Sequence, residues 1–330
     1  MNFLVGDIGG TNTRLLFAHM NGNVCENFYE KSYSSNNYSN LTEVIHHFLL
    51  DCEITDSIDA ACFAIAGPVE NGIVSVTNLP WVIKEEQLKE DLHTSDVKLI
   101  NDFLAVAIGI TELKDNDLVI VQEGQDQVNS DAAIIGAGTG LGAAHLVWTD
   151  NYYHPYTSET GHTGFSPENT LQSELLMWMQ KQYSHVSLEM LLSGKGLVSI
   201  YQFLHEIKNF NESLRVMDDM KLKDPAQVIT EYALSDEDDL CQATLACFID
   251  IYGAAAGNVA LNYYPIGELY IAGGIAAKIK EKMMSPAFIH AFVNKGLLTS
   301  NMKKITIKLI VQDKVGLYGA LAKLKSTYLK

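Results

Sequence analysis

One pattern, occurring twice, constrains the fold more than any other feature of the chain. Residues 2–20, NFLVGDIGGTNTRLLFAHM, and residues 131–149, DAAIIGAGTGLGAAHLVWT, each run from an apolar arm through a Gly/Thr turn into a second apolar arm. Val5-Gly6-Asp7-Ile8-Gly9-Gly10-Thr11 lies over Ile135-Gly136-Ala137-Gly138-Thr139-Gly140, with details shifted by a residue or two. The second arm of the first copy, Arg14 to Ala18, is too short for a helix before Asn21-Gly22, a strong hairpin dipeptide. Both copies therefore read as strand, turn, strand. Their recurrence about 130 residues apart predicts two related lobes. A length of 330 residues also favours two domains over one.

Between and beyond the two copies, helical and strand periods alternate. Asn40-Leu41-Thr42-Glu43 forms a capping-box pattern before Val44, Ile45, Phe48 and Leu49 at helical spacing. ACFAIAG and VKLIND read as short apolar strands, and helical spacing resumes from Phe103 to Ile110. Residues from about 170 to 264 are mostly helical, with Ser235 predicted to cap the longest helix and Gly253 and Gly257 on a small-residue face within it. GELYIAGGIA is a strand entering a Gly turn, KITIKLIV a strand, and GLYGALAKLK a closing helix.

The net charge of −17 argues against a sequence-independent grip on nucleic acid or on an anionic membrane, both of which need clustered Lys and Arg. Anionic ligands remain possible through backbone N–H groups and a metal ion. The five cysteines (Cys25, Cys52, Cys62, Cys241 and Cys247) are odd in number and lack C-x-x-C spacing, so a disulfide framework or cysteine zinc site is not expected. Cys62, inside ACFAIAG, reads as a small buried hydrophobe. There is no signal-like N-terminus and no apolar run of 18 residues, so the expectation is a soluble, unexported, cytoplasmic protein.

Several glycine-rich loops compete for interpretation. The P-loop pattern is absent, since Ser193-Gly194-Lys195-Gly196 has no hydroxyl residue after its Gly-Lys pair. Gly138 to Ala143 satisfies the dinucleotide fingerprint G-x-G-x-x-A, but that motif must open a helix, and Ala144 to Trp148 read as a strand. The better reading is two hairpin phosphate loops. Glycines let the backbone approach a phosphate, consecutive N–H groups form an anion nest, and Thr11 and Thr139 add hydroxyls. Asp7, acidic where phosphate would come, makes sense with Mg²⁺ between them, because Mg²⁺ takes one or two carboxylates and keeps most of its waters. The alternative is that Asp7 and its glycines only build a tight turn.

Asn101-Asp102 ends a strand just before a helix, the edge where ligands bind in open α/β sheets. Asp102 there is either a helix cap or a general base that takes the proton of an attacking hydroxyl. Glu159-Thr160-Gly161-His162 is either a metal pair, a set of polar ligands for a hydroxylated substrate, or a loop with a satisfied histidine. Gly161 argues against a rigid helical metal face, and no H-E-x-x-H occurs.

In order and spacing, several stretches together resemble the bacterial glucokinases of the zinc-free, hexokinase-like branch of the actin-like ATPase superfamily. They are GDIGGTNTRL (6–15), AIAGPVENG (64–72), TNLPW (77–81), INDFLAVA (100–107), GAGTGLGAAHL (136–146), SETGHTGFSP (158–167), HVSLEMLLSGKGLVSIY (185–201), GNVALN (257–262) and YIAGGI (270–275). The cysteine-rich zinc motif of the other sugar-kinase branch is lacking. Thr160 stands where relatives often have Gly, which bears on the sugar preferred, and IAGP stands where relatives carry Cys before Pro.

The resemblance implies an α/β, two-lobed actin-like ATPase (ribonuclease H-like) fold with an interlobe cleft. The smaller lobe would comprise 1–108 with 314–330, and the larger 109–313. It implies ATP-dependent phosphorylation of glucose at the 6-hydroxyl, with ATP and Mg²⁺ as cofactors and a homodimer as the assembly. Asp102 is the implied base, and Asn101, Asp102, Glu159, His162 and Glu189 the implied sugar ligands. Gly6, Asp7, Gly9, Gly10 and Thr11 match the first phosphate element, Gly138, Thr139 and Gly140 the second, and Gly273 and Gly274 the adenosine motif. Residue patterns alone do not select Glu189, which in SLEMLLSG reads as an ordinary helix surface position. Three rival readings are a kinase for another hexose, a sugar-independent chaperone-like or filament-forming ATPase, and a sugar-responsive transcription regulator. The last lacks a DNA-binding segment in this acidic chain.

Overall fold

The computed structural model describes residues 1–22, 24–125 and 127–329. They group into two compact units, Met1–Lys114 with Tyr153–Pro155 and Gln312–Lys330, and Asp115–Tyr152 with Tyr156–Val311.

The first unit is built on strands β1 (Asn2–Ile8), β2 (Asn12–Asn21), β3 (Val24–Ser34), β4 (Ala60–Ile65) and β7 (Val97–Asn101), in the order β3-β2-β1-β4-β7. A separate ribbon pairs β5 (Ile73–Ser75) with β6 (Val82–Lys84). β1 runs antiparallel to β2 and parallel to β4, and β4 parallel to β7. The period of two along β1 sorts its side chains. Leu4 and Ile8 join a core with Val44, Ile45 and Phe48 of α1 (Leu41–Asp51) and Leu88 of α2 (Glu85–Asp91). Phe3 and Val5 join the opposite core, with Ala105 of α3 (Asp102–Gly109) and Leu317, Ala320 and Leu324 of the closing C-terminal helix (Val315–Tyr328). Asp7, in step with Phe3 and Val5, therefore faces that closing helix. Cys62, on the same side, is fully buried, and burial pushes its thiol up to about 12. None of the five cysteines forms a disulfide.

The second unit carries β8 (Leu118–Gln122), β9 (Ala132–Ala137), β10 (Leu141–Thr149), β11 (Tyr152–Ser158), β12 (Glu268–Ala272) and β13 (Thr306–Ile310), in the order β11-β10-β9-β12-β13-β8. β9 is antiparallel to β10 and parallel to β12, and β12 parallel to β13. Apart from the added edge β8, this repeats the strand order of the first sheet, with the same directions at β9–β10, β9–β12 and β12–β13, as the recurring strand–turn–strand pattern predicts. The fold is two-lobed α/β.

Between β11 and β12 lie α4 (Thr170–Met179), α5 (Gly194–Lys208), α6 (Leu214–Leu222), α7 (Pro225–Leu234) and α8 (Asp239–Asn262). Between β12 and β13 come α9 (Gly274–Lys278), α10 (Lys280–Met283), α11 (Pro286–Val293) and α12 (Thr299–Met302), so the closing helix is α13. α8 is long and apolar enough to cross a membrane by length and composition, but 78% of its most apolar window is buried inside the protein. Gly253 and Gly257 face α11, whose Phe288 and Phe292 carbonyls occupy the space their side chains would need.

The caps show where local chemistry decides. The Asn40 side chain accepts from the Glu43 amide at 2.9 Å, as the capping box predicts. The return bond shifts by one residue, because Glu43 Oε2 accepts from the Ser39 amide and hydroxyl. The expected Ser235 cap of the longest helix is corrected. Ser235 closes α7, and Asp238 caps α8 by accepting from the Cys241 amide at 2.8 Å. A carboxylate at the N-terminus gains from both the hydrogen bond and the helix dipole.

Candidate active site

In the first unit the β1–β2 turn is fixed by its own backbone. The Gly9 amide donates to Asn12 O at 2.9 Å, and the Ser35 amide and hydroxyl donate to Thr11 O and Gly9 O. Gly10 packs against Thr77 and Asn78, which brings the TNLPW segment to the turn, while Thr11 is exposed. Gly6 stands apart, buried within β1 where Phe63, Ile8 and Leu15 fill the space of its missing side chain.

Asp7, one residue before the turn's edge, pairs in register with Arg14 on β2. Its carboxylate lies against the first turn of α13, so that a methyl group on Gly316 would sit 3.2 Å from Oδ2. Arg14 is turned to Asp313, donating from Nη2 to Oδ2 at 2.7 Å and from Nη1 to the carbonyl. Burial pushes Asp7 up to about 6, with Asp102 and Asp313 adding to the rise and Arg14 opposing it.

Asn101 ends β7 and caps α3. Its Oδ1 accepts from the Phe103 and Leu104 amides at 3.0 and 3.1 Å, and its Nδ2 donates to Gly67 O at 3.2 Å and Asp102 Oδ1 at 3.1 Å. The cap is therefore Asn101, and Asp102 is the first residue of the helix. Asp102 Oδ1 accepts from the Phe103 amide at 2.8 Å as well as from Asn101. Its second oxygen takes no hydrogen bond from the described residues. Burial holds the Asp102 carboxyl above the ordinary carboxylate range, against the lowering effect of the Phe103 amide, its own amide and Asn101. An oriented, half-desolvated carboxylate with one open oxygen is suited to receive a proton.

In the second unit, the turn between β9 and β10 closes with the Gly138 amide donating to Gly140 O at 2.8 Å. Gly138 O accepts from the Gly194 amide at 3.1 Å, so the Ser193-Gly194-Lys195-Gly196 segment opens α5 directly beside this turn. Thr139 is exposed at the tip, and β10 continues as a strand, which removes the dinucleotide-fingerprint reading.

Glu189 is not on a helix. It lies half-buried in the turns that connect the Gly164–Ser187 bridge to α5, which corrects the expectation of a helix surface position. Its Oε2 accepts from the Leu141 amide at 2.9 Å, and a methyl group on Gly140 would sit 2.6 Å from that oxygen. The Glu189 amide donates to Gly161 O at 2.9 Å, and the Leu141 carbonyl occupies the space a Gly161 side chain would need. The phosphate-loop candidate and the Glu159–His162 segment thus meet at Gly140, Leu141, Gly161 and Glu189.

Glu159 precedes a single 3-10 turn that ends on His162, with both side chains largely exposed and His162 Nε2 3.7 Å from Glu159 Oε2. The Thr160 hydroxyl pairs with Ser158 Oγ at 2.7 Å. Among the described residues no group of three or more His, Cys, Asp or Glu side chains could hold a metal. Gly273, at φ +92°, turns the chain from β12 into α9, where its Cα lies against the Ala137 backbone, and Gly274 borders open space. Only glycine combines that φ with that approach.

Comparison with known proteins agrees with this geometry. The family model described as Glucokinase matches residues 4–327. A glucokinase from Trichormus variabilis is 40% identical over 331 residues, covering 96% of this chain and 97% of its own. The crystal structure of a glucokinase from an Antarctic psychrotroph is 33% identical, covers 98% of this chain and 99% of its own, and superposes with a TM-score of 0.81. A Balamuthia mandrillaris glucokinase, solved in complex with glucose, shares the fold at a TM-score of 0.79 and 20% identity, covering 97% and 92% of the two chains. With a family model spanning nearly its whole length, the chain belongs to the glucokinase family.

Proposed function

We propose that the protein transfers the γ-phosphoryl group of ATP to the 6-hydroxyl of glucose, with Asp102 as the general base. The observation that carries the reading is the Asp102 carboxylate: one oxygen is held by the Phe103 amide and Asn101, the other is open, and burial raises its proton affinity. As the sugar O6 attacks phosphorus, its proton passes to Asp102 and the bond to ADP breaks. Such help is worth about 10²–10⁴ in rate.

The remaining roles follow the chemistry of the side chains. Glu159, His162 and Glu189 supply charged and polar partners for sugar hydroxyls, each of which would cost free energy if buried unpaired. Asn101 serves the sugar only through what its capping role leaves, since both ends of its amide already have partners. Gly9, Gly10 and Thr11, and Gly138, Thr139 and Gly140, present backbone amides and hydroxyls to phosphates. Gly273 and Gly274 border the adenosine. Gly6 supports its turn by packing.

Mg²⁺ fits the first set as a cation held through one carboxylate. Asp7 is half-buried, and the neighbouring Asp102 and Asp313 carboxylates leave it short of positive charge despite Arg14. Bound with ATP, Mg²⁺ would offset the negative charge of the phosphates. The repeated sheet order supports membership of the actin-like ATPase superfamily, with lobes 1–108 plus 314–330 and 109–313. Cysteines without disulfides suit a cytoplasmic, reducing location, and a homodimer is the assembly proposed.

The test is ADP release by the purified chain with Mg-ATP, with the product identified as glucose 6-phosphate by a coupled dehydrogenase. Parallel kcat/KM values for glucose, mannose, fructose and N-acetylated sugars separate glucose from another hexose. ADP release indifferent to sugar would return the protein to the ATPase reading.

A further inference from the structure

Tyr252, in the middle of α8, is fully buried, and its ring packs edge-on against Phe248 and Phe288. A buried tyrosine hydroxyl needs partners, and those of Tyr252 are unusual in where they lie. The hydroxyl accepts from the Ala137 amide at 3.1 Å and donates to the Ala272 carbonyl at 3.3 Å. Ala137 is the last residue before the second glycine turn, and Ala272 the last before Gly273-Gly274. The parallel β9–β12 ladder ends at the pair Gly136–Ala272. One phenol oxygen therefore bridges the last residues of the two strands, at the root of both loops, while Gly273 is pressed against Ala137.

We propose that Tyr252 is a positioning residue for the nucleotide, fixing through its hydroxyl the separation between the turn at 138–140 and the turn at 273–274. The inference rests on the proposed function, in which the first turn holds phosphate and the second adenosine. A phenylalanine would fill the same space but remove the hydroxyl that bridges the Ala137 amide and the Ala272 carbonyl, and the two strand ends would be held less firmly. Glucose, whose proposed ligands Glu159, His162 and Glu189 do not touch Tyr252, should bind as before.

The experiment titrates a non-hydrolysable Mg-ATP analogue and, separately, glucose into wild type, Tyr252→Phe and Phe248→Leu by calorimetry, with thermal melts of all three. Phe248→Leu is the packing control, since it loosens the same cluster but leaves the hydroxyl in place. Tyr252→Phe should bind the analogue about tenfold more weakly and glucose within about twofold of wild type. Phe248→Leu should lose thermal stability but keep its nucleotide affinity. Wild-type nucleotide affinity in Tyr252→Phe overturns the inference. So does a loss of affinity in both variants that simply follows their thermal stability, because Tyr252 would then be structural. A wild-type chain that binds no nucleotide overturns the proposed function itself, and the inference with it.

Discussion

Glu189 Oε2 accepts a hydrogen bond from the Leu141 amide at 2.9 Å, so a residue proposed as a sugar ligand also holds the strand that leaves the second glycine turn. The same carboxylate lies where a side chain on Gly140 would go. Gly140→Ala must therefore displace either the turn or the carboxylate. Both the ATP and the glucose KM should rise, with kcat/KM falling at least about tenfold, a cost of about 1.4 kcal/mol. Steady-state kinetics over both substrates checks this. A rise in one KM alone would mean that the carboxylate does not join the two elements.

Asp7 gives a stability prediction with a definite sign. Well below its ordinary value of 3.8 it is protonated whether the chain is folded or not. Between that value and about 6 the folded chain retains a proton that the unfolded chain releases, so stability falls as pH rises through this window. Above it, ionised Asp7 is a net cost to the fold. Asp7→Asn should therefore be more stable than wild type at pH 7.5, by up to about 2–3 kcal/mol, and the difference should vanish near pH 4. Denaturant melts across that range test it. The same variant should lose its response to Mg²⁺ in nucleotide binding.

Asn101 separates capping from tuning. Asn101→Ser keeps an N-cap oxygen and should cost less than about 1 kcal/mol of stability, whereas Asn101→Ala should cost about 1–2 kcal/mol. Both remove the Nδ2 donor that holds Asp102 Oδ1 and lowers its proton affinity. The acid limb of the pH–rate profile should thus move to higher pH in both variants, whatever their stability. An unshifted limb in Asn101→Ser would place the titrating group elsewhere.

Gly273 is held at φ +92° against the Ala137 backbone. Gly273→Ala combines strain with overlap and should destabilise the protein by more than about 2 kcal/mol, read as a lowered Tm. A near-wild-type Tm would show that the β12–α9 turn has freedom to adjust.

The duplicated sheet was legible because two Gly/Thr turns between apolar arms leave few other folds, and β12 and β13 read as short apolar segments. Asp7, Asn101 and Asp102 stood out because acidic or amide residues at strand ends are chemically conspicuous. Glu189 and Tyr252 did not. Glu189 gains its importance from the Leu141 amide, which donates to its carboxylate, and the Gly161 carbonyl, which accepts from its own amide, about 48 and 28 positions away in sequence, and no local period encodes them. Tyr252 sits in an apolar helix where a tyrosine reads as core, and only the ends of β9 and β12 reveal why its hydroxyl is there. The expected Ser235 cap fails because Ser235-Asp236-Glu237-Asp238-Asp239 offers several candidate caps within one turn, and the Asp238 carboxylate is the one that accepts from the Cys241 amide.

The most direct test of the account is the rate of ADP formation from Mg-ATP and glucose by wild type and Asp102→Asn, alongside nucleotide binding by both. Turnover should depend on glucose and fall by at least about 10² in the variant, with nucleotide affinity retained. Turnover indifferent to both glucose and Asp102 would contradict it.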